Sequence, residues 1–127
     1  MANPNIVAVT SIYANTSTLL ISSTADPFAT ALVSNAASSG KVYKINSIVA
    51  ANVDGTAAAD ITIKIFSAAA LGGTGTAIAS TISVPPDASL IVTDKTTSFY
   101  LLEDRSIGAT ASAANDIVVT CSWEEIT

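Results

Sequence analysis

A chain of 127 residues with net charge −5, no histidine and one cysteine is long enough for one packed core that buries about two thirds of its unfolded surface. The missing histidine excludes Ser-His-Asp and Cys-His nucleophile chemistry and the usual zinc sites, and the single cysteine excludes an intrachain disulfide. The five cations, Lys41, Lys44, Lys64, Lys95 and Arg105, form no run, which disfavours nucleic acid and anionic membrane surfaces as partners.

Half of the chain is apolar, and Ala, Ser and Thr together supply about four residues in ten. Charged residues make up 12%, against a usual share of about 25%. Such a chain has enough Ile, Val and Leu to fold and small side chains nearly everywhere else, the opposite of a disordered composition. The start, Met1-Ala2-Asn3-Pro4-Asn5, lacks the cationic and apolar regions of a secretory signal. No apolar run reaches the roughly 18 residues of a membrane helix. The expectation is a soluble protein made in the cytoplasm.

β-branched residues dominate and Gly or Pro clusters punctuate, which is the pattern of strands. Ile6 to Tyr13 reads as a first strand and Thr18 to Ser22 as a short second one. Asp26-Pro27 marks a turn, and Ala29 to Ser34 reads as a third strand. Lys41 to Val53 is the strongest strand signal. By period two, Tyr43, Ile45, Val49 and Val53 fall on one face, with Lys44, Asn46 and Asn52 on the other. Asp54-Gly55 suits a two-residue hairpin turn, which leads to Asp60 to Ser67 with Ile61, Ile63 and Ile65 on one face.

Ala68 to Gly75 is a glycine-containing loop, and Ile78, Ile82 and Val84 belong to the next strand. Pro85-Pro86-Asp87 stops that strand, because two successive residues lack a ladder donor. Ser89 to Thr93, Ser98 to Leu102 and Ser106 to Ala111 are short strands. Asn115-Asp116 forms a turn, and Ile117, Val119, Cys121 and Trp123 form a last alternating face. Eight to ten short strands at this spacing predict an all-β, single-domain antiparallel β-sandwich of jelly-roll type.

Every candidate for chemistry has a structural explanation. Cys121 alternates between Val119 and Trp123 and reads as a small buried hydrophobe. Gly72-Gly73-Thr74-Gly75 lacks the Gly-Lys-Ser/Thr ending of a phosphate loop and reads as a strand connection. Asn52-x-Asp54-Gly55 echoes a calcium loop, but Ala50 and Ile61 stand where acidic ligands are needed. Glu103-Asp104 and Glu124-Glu125 are neighbours on strands, so the members of each pair point to opposite faces. The aromatic residues Tyr13, Phe28, Tyr43, Phe66, Phe99, Tyr100 and Trp123 are scattered and read mostly as core. No catalytic, metal or cofactor-binding residue is expected, and the expected role is a binding or building surface.

Three stretches and the ending carry a resemblance: Gly40-Lys41-Val42-Tyr43-Lys44-Ile45-Asn46-Ser47-Ile48-Val49-Ala50-Ala51-Asn52-Val53-Asp54-Gly55, then Ile82-Ser83-Val84-Pro85-Pro86-Asp87-Ala88-Ser89-Leu90-Ile91-Val92-Thr93-Asp94-Lys95, then Tyr100-Leu101-Leu102-Glu103-Asp104-Arg105-Ser106-Ile107, and finally Cys121-Ser122-Trp123-Glu124-Glu125-Ile126. In this order they resemble small virion structural proteins of tailed bacteriophages, cyanophages in particular, over roughly Ser34 to Thr127. The resemblance implies a capsid-decorating role without catalysis, location on the virion, and the major capsid protein or another virion protein as partner. A tail, baseplate, collar or fibre component is the alternative within the particle. A carbohydrate-binding β-sandwich is the alternative outside it.

Many copies on a lattice let modest contacts sum to firm attachment. A homo-oligomer is expected, with a trimer first because capsid lattices offer threefold positions. The chain is expected to divide into an N-terminal strand or attachment arm, 1–26, and a sandwich body, 27–127. The arm proper, Ala2 to Ser23, would add its strand to a neighbouring sheet edge.

Overall fold

The structure is a computed structural model that describes residues 3–22, 24 and 30–127. Among the described residues there are nine strands: β1 (Ile12–Leu20), β2 (Ala31–Asn35), β3 (Val42–Asn52), β4 (Ala59–Phe66), β5 (Gly75–Val84), β6 (Ser89–Thr93), β7 (Phe99–Leu101), β8 (Arg105–Ala111) and β9 (Ile117–Ile126). Lys95–Thr97 form a single 3₁₀ turn, capped by Asp94. One sheet runs β1-β9-β3-β6, with β7 also paired to β3; the other runs β2-β8-β4-β5.

The antiparallel pairs are nested. β1 pairs with β9, β2 with β8, β3 with β6 and β7, and β4 with β5. Two further pairings, β9 with β3 and β8 with β4, join these pairs into the two sheets. A chain doubled back on itself and wrapped around a core gives this order, and the protein is an all-β jelly-roll sandwich.

The core lies between the sheets. Ile45, Ile48, Ile61, Ile63, Ile107, Ile117 and Val119 have no exposed surface, and each such side chain contributes about 1.5–3 kcal/mol by leaving water. Ile61 and Ile63 lie in the core and Ile65 packs against it from the same face, as period two predicts. Ile117, Val119 and Cys121 are fully buried on the inner face of β9, and Trp123 packs partly against them.

Four expectations are corrected. First, Ile6 to Tyr13 and Thr18 to Ser22 are not separate strands. Residues 5–8 turn, with Ala8 N–H donating to Asn5 O at 3.1 Å, and β1 then runs unbroken through the polar stretch Asn15-Thr16-Ser17. Second, the described part of 1–26 is not set apart from 27–127. β1 pairs with β9 along nine residues, and Ile21 sits 1% exposed in the core. The expected turn at Asp26-Pro27 lies outside the described residues.

Third, Asp54-Gly55 is not a hairpin turn. β3 and β4 belong to different sheets, so this loop crosses between them. Fourth, the register of β3 shifts between Ile45 and Ser47. A bulge adds one residue and reverses which side chains face inward. The inward-facing set is therefore Tyr43, Ile45, Ile48, Ala50 and Asn52, with Val42 buried at the strand start outside the core cluster, while Val53 is 56% exposed and Val49 faces outward.

The glycine-containing loop expected at Ala68 to Gly75 is the β4–β5 connection, and it is tightly held. Ser67 N–H donates to Thr74 O at 3.0 Å, and Thr74 N–H to Ser67 Oγ at 2.8 Å. Gly73 sits at φ +71°, and a Cβ there would collide with Ser67 Oγ. Only glycine suits this position.

Candidate interaction surface

Edge strands present unpaired backbone groups, so a sandwich must protect its edges or use them. β2, β5 and β6 lie at edges, and each has a register shift against its neighbour. β5 also carries Thr81 at φ 51°. Such bulges twist an edge away from incoming strands. β1 is different: it pairs with β9 from Ile12–Ile126 to Leu20–Val118 without a shift.

The backbone contacts beyond each end of β1 fix its polarity. Ser11 and Thr127 exchange N–H···O bonds of 3.3 and 3.0 Å, and Ile21 N–H donates to Ile117 O at 2.9 Å. Odd-numbered residues therefore bond toward β9. The N–H and C=O groups of Ile12, Ala14, Thr16, Thr18 and Leu20 point away from β9, to an edge left free by every strand among the described residues.

The side chains are exposed as well. Among the described residues twelve large apolar side chains are exposed, and six of them, Ile6, Val7, Val9, Ile12, Tyr13 and Leu20, lie within residues 6–20. Val7 reaches 91% exposure. Residues 6–20 contain no charge. Exposed apolar side chains gathered at residues 6–13 mark an interaction site more often than chance exposure.

Just inside this strip, register places Tyr13, Glu125 and Tyr43 in one row, and Asn15, Trp123 and Ile45 in the next. Asn15 Nδ2 donates to Glu125 Oε2, and Lys41 Nζ lies 3.8 Å from Glu125 Oε1. Burial, then the hydrogen bond and negative charge of Glu125, push the Tyr43 hydroxyl up from 10.0 to about 12. The Tyr43 and Trp123 rings stack with centroids 6.1 Å apart at 26°. Tyr13, Tyr43 and Trp123 are thus brought together although their sequence positions are scattered. Tyr43 is buried and Tyr13 is 64% exposed, so this cluster holds the end of the sheet together and does not form an open stacking platform. Trp123 Nε1 is buried without a hydrogen-bond partner among the described residues, so Trp123 is held by packing.

The other groups singled out from sequence do not converge. Glu124 and Glu125 alternate on β9, with Glu124 opposite Ala14 and Lys44 on the outer face. Glu103 and Asp104 are in the β7–β8 turn and not on a strand, because the chain reverses there with Asp104 at φ 55°. Asp104 Oδ1 accepts from Ala69 N–H at 3.0 Å. Asp54 Oδ1 accepts from Thr56 N–H and Oγ1, each at 2.8 Å, which holds its carboxyl below the ordinary value. Arg105 Nη1 donates to Ser67 O at 2.9 Å and Asp104 O at 2.8 Å, tying two loops together. Among the described residues no group of three or more His, Cys, Asp or Glu is placed to hold a metal.

Cys121 is fully buried, and burial pushes its thiol up from 9.0 to about 12. The native protein should therefore react with a thiol reagent only as fast as it unfolds. Between pH 9.0 and about 12 the folded protein keeps a proton that the unfolded chain loses. The stability that the protonated thiol contributes is complete below that window and declines as pH rises through it. Denaturant titrations across this range should show a shallower decline for Cys121→Ala. Rapid labelling of the native protein would show that the site is open.

No protein-family model matches the chain, and no curated protein matches it in sequence.

Proposed function

We propose that this protein is a non-catalytic structural component of a bacteriophage particle, a decoration protein that binds and stabilises the outer surface of the head. The observation that carries this reading is the uncharged segment 6–20, which holds half of the exposed large apolar side chains among the described residues, most of them as a strip over residues 6–13. A freely soluble monomer gains nothing from leaving Val7, Val9 and Ile12 in water, whereas a protein whose strip is covered by a shell does. The rigid sandwich supplies the body, and an acidic chain avoids adhering to nucleic acid. The likeness of Ser34 to Thr127 to small virion proteins of tailed phages supplies the biological setting.

Two measurements test the proposal. Protein composition of purified particles should show on the order of hundreds of copies, as a repeating lattice provides. About tens or fewer would move the protein to the tail, baseplate, collar or fibre, and complete absence would end the virion reading. In particle-binding assays Val7→Glu should leave the fold intact, because Val7 is 91% exposed, and should reduce occupancy about tenfold or more. Unchanged occupancy would show that the strip is not the contact.

A further inference from the structure

We infer that the free edge of β1 pairs with β1 of a second copy of this chain, antiparallel, about a two-fold axis at Thr16. This concerns the strand's backbone edge in the free protein and holds whether or not the chain belongs to a particle. The outward groups belong to Ile12, Ala14, Thr16, Thr18 and Leu20, so the edge carries one donor and one acceptor at every second residue. An antiparallel partner forms closely spaced bonded pairs only where the outward residues of both strands meet. The edge meets this condition against itself.

The register that uses the whole strand sets Ile12 opposite Leu20 of the second copy, Ala14 opposite Thr18, and Thr16 opposite Thr16. Side chains match in the same register. Ile12 is 53% exposed and Leu20 47%, so the two apolar ends cover one another. The middle, Asn15-Thr16-Ser17, meets a copy of itself, polar against polar. Cross-strand pairs of like polarity stabilise a sheet.

Charge and edge geometry point to the same occupant. Two chains of charge −5 repel over most of their surface, but residues 6–20 carry no charge, so the copies meet where repulsion is least. The register shifts of β2, β5 and β6 make those edges poor templates, and of the two unshifted edge strands β7 spans three residues whereas β1 spans nine. Isologous pairing closes after two copies, so the expected assembly is a two-fold dimer and not the threefold ring favoured from sequence.

Cross-linking and sedimentation of the full chain decide the matter. Hydrogen-bonded antiparallel pairs have Cα atoms about 5.5 Å apart, within disulfide range. Thr16→Cys should therefore give a disulfide-linked dimer under mild oxidation. The unmodified chain should give none, because Cys121 is buried. Thr16→Pro removes a donor from the free edge without removing a bond to β9, and should sediment as a folded monomer. Should that variant fail to fold, Thr16→Lys opposes two cations across the axis and should weaken the dimer about tenfold or more. A monomeric unmodified chain at its highest soluble concentration, a trimer, or a dimer indifferent to both variants would overturn the inference.

Discussion

Replacing Asn52 with alanine is expected to destabilise the protein by about 3 kcal/mol or more, a large part of the roughly 5–15 kcal/mol typical of a single domain. Asn52 is 2% exposed, yet it carries a polar side chain in the inner face of β3. Its Nδ2 donates to Ala57 O and Val84 O, both at 2.9 Å, and its Oδ1 accepts from Asp54 N–H at 2.9 Å. These bonds tie the end of β3 to the crossover loop and to the end of β5 in the opposite sheet. Alanine would leave the buried Val84 carbonyl and the part-buried Ala57 carbonyl and Asp54 N–H short of partners, and each group that water does not reach costs about 1–3 kcal/mol.

Urea unfolding should show the loss as a lower midpoint with an unchanged slope. Asn52→Asp is the informative control. It retains an acceptor for Asp54 N–H but turns a carboxylate toward two carbonyls. It should be less stable than Asn52→Ala at neutral pH and regain stability as the carboxyl is protonated on acidification. A loss below about 1 kcal/mol for Asn52→Ala would show that the loop relaxes to satisfy its own backbone, as a site open to water allows.

Ile48→Ala should cost about 2–5 kcal/mol, while Val49→Ala, one residue on, should stay within about 1 kcal/mol. The contrast follows from the bulge between Ile45 and Ser47. Ile48 has no exposed surface and lies in the core cluster, whereas Val49 points outward opposite Thr120 and Ile91. Uninterrupted alternation from Tyr43 would bury Val49 and turn Ile48 to solvent. Equilibrium unfolding of the two variants reads the phase of β3 directly. A larger loss for Val49→Ala than for Ile48→Ala would mean that the strand is unbulged.

The same bulge shows how far the pattern was legible in sequence. On β4 and β9 the alternation continues along the strand, and the residues read as inward-facing from Ile61, Ile63 and Ile117, Val119, Cys121 lie in the core. On β3 the alternation changes phase at Asn46-Ser47, and a single chain carries no mark of which strand will oppose it there. The N-terminal strand departs from its sequence pattern for a related reason. Asn15-Thr16-Ser17 has the composition of a turn, yet the register puts Asn15 beside Glu125, whose side chain takes the amide's hydrogen bond. Asp54-Gly55 has the composition of a hairpin, but Asp54 spends its carboxylate on Thr56 and the chain passes to the other sheet.

The interaction surface was legible only in part. The lack of charge and the apolar residues of 6–20 are visible in the sequence, whereas the attachment arm expected over Ala2 to Ser23 rests on a strand set apart from the body. That it belongs to the sheet, with Ile21 in the core, depends on β9, a strand about a hundred residues away. The clustering of Tyr13, Tyr43 and Trp123 around Glu125 depends on the same three-strand register.

The sequence by itself determined the strand character, the all-β class and the absence of histidine chemistry, because these follow from local steric preference, short-range periodicity and composition. Which strands pair, where a bulge reverses a face, and which edge stays straight and free were decided only by tertiary structure. Backbone hydrogen bonds in a sheet join residues far apart in the chain. The local chain encodes a face, and its neighbour across the sheet determines where that face points.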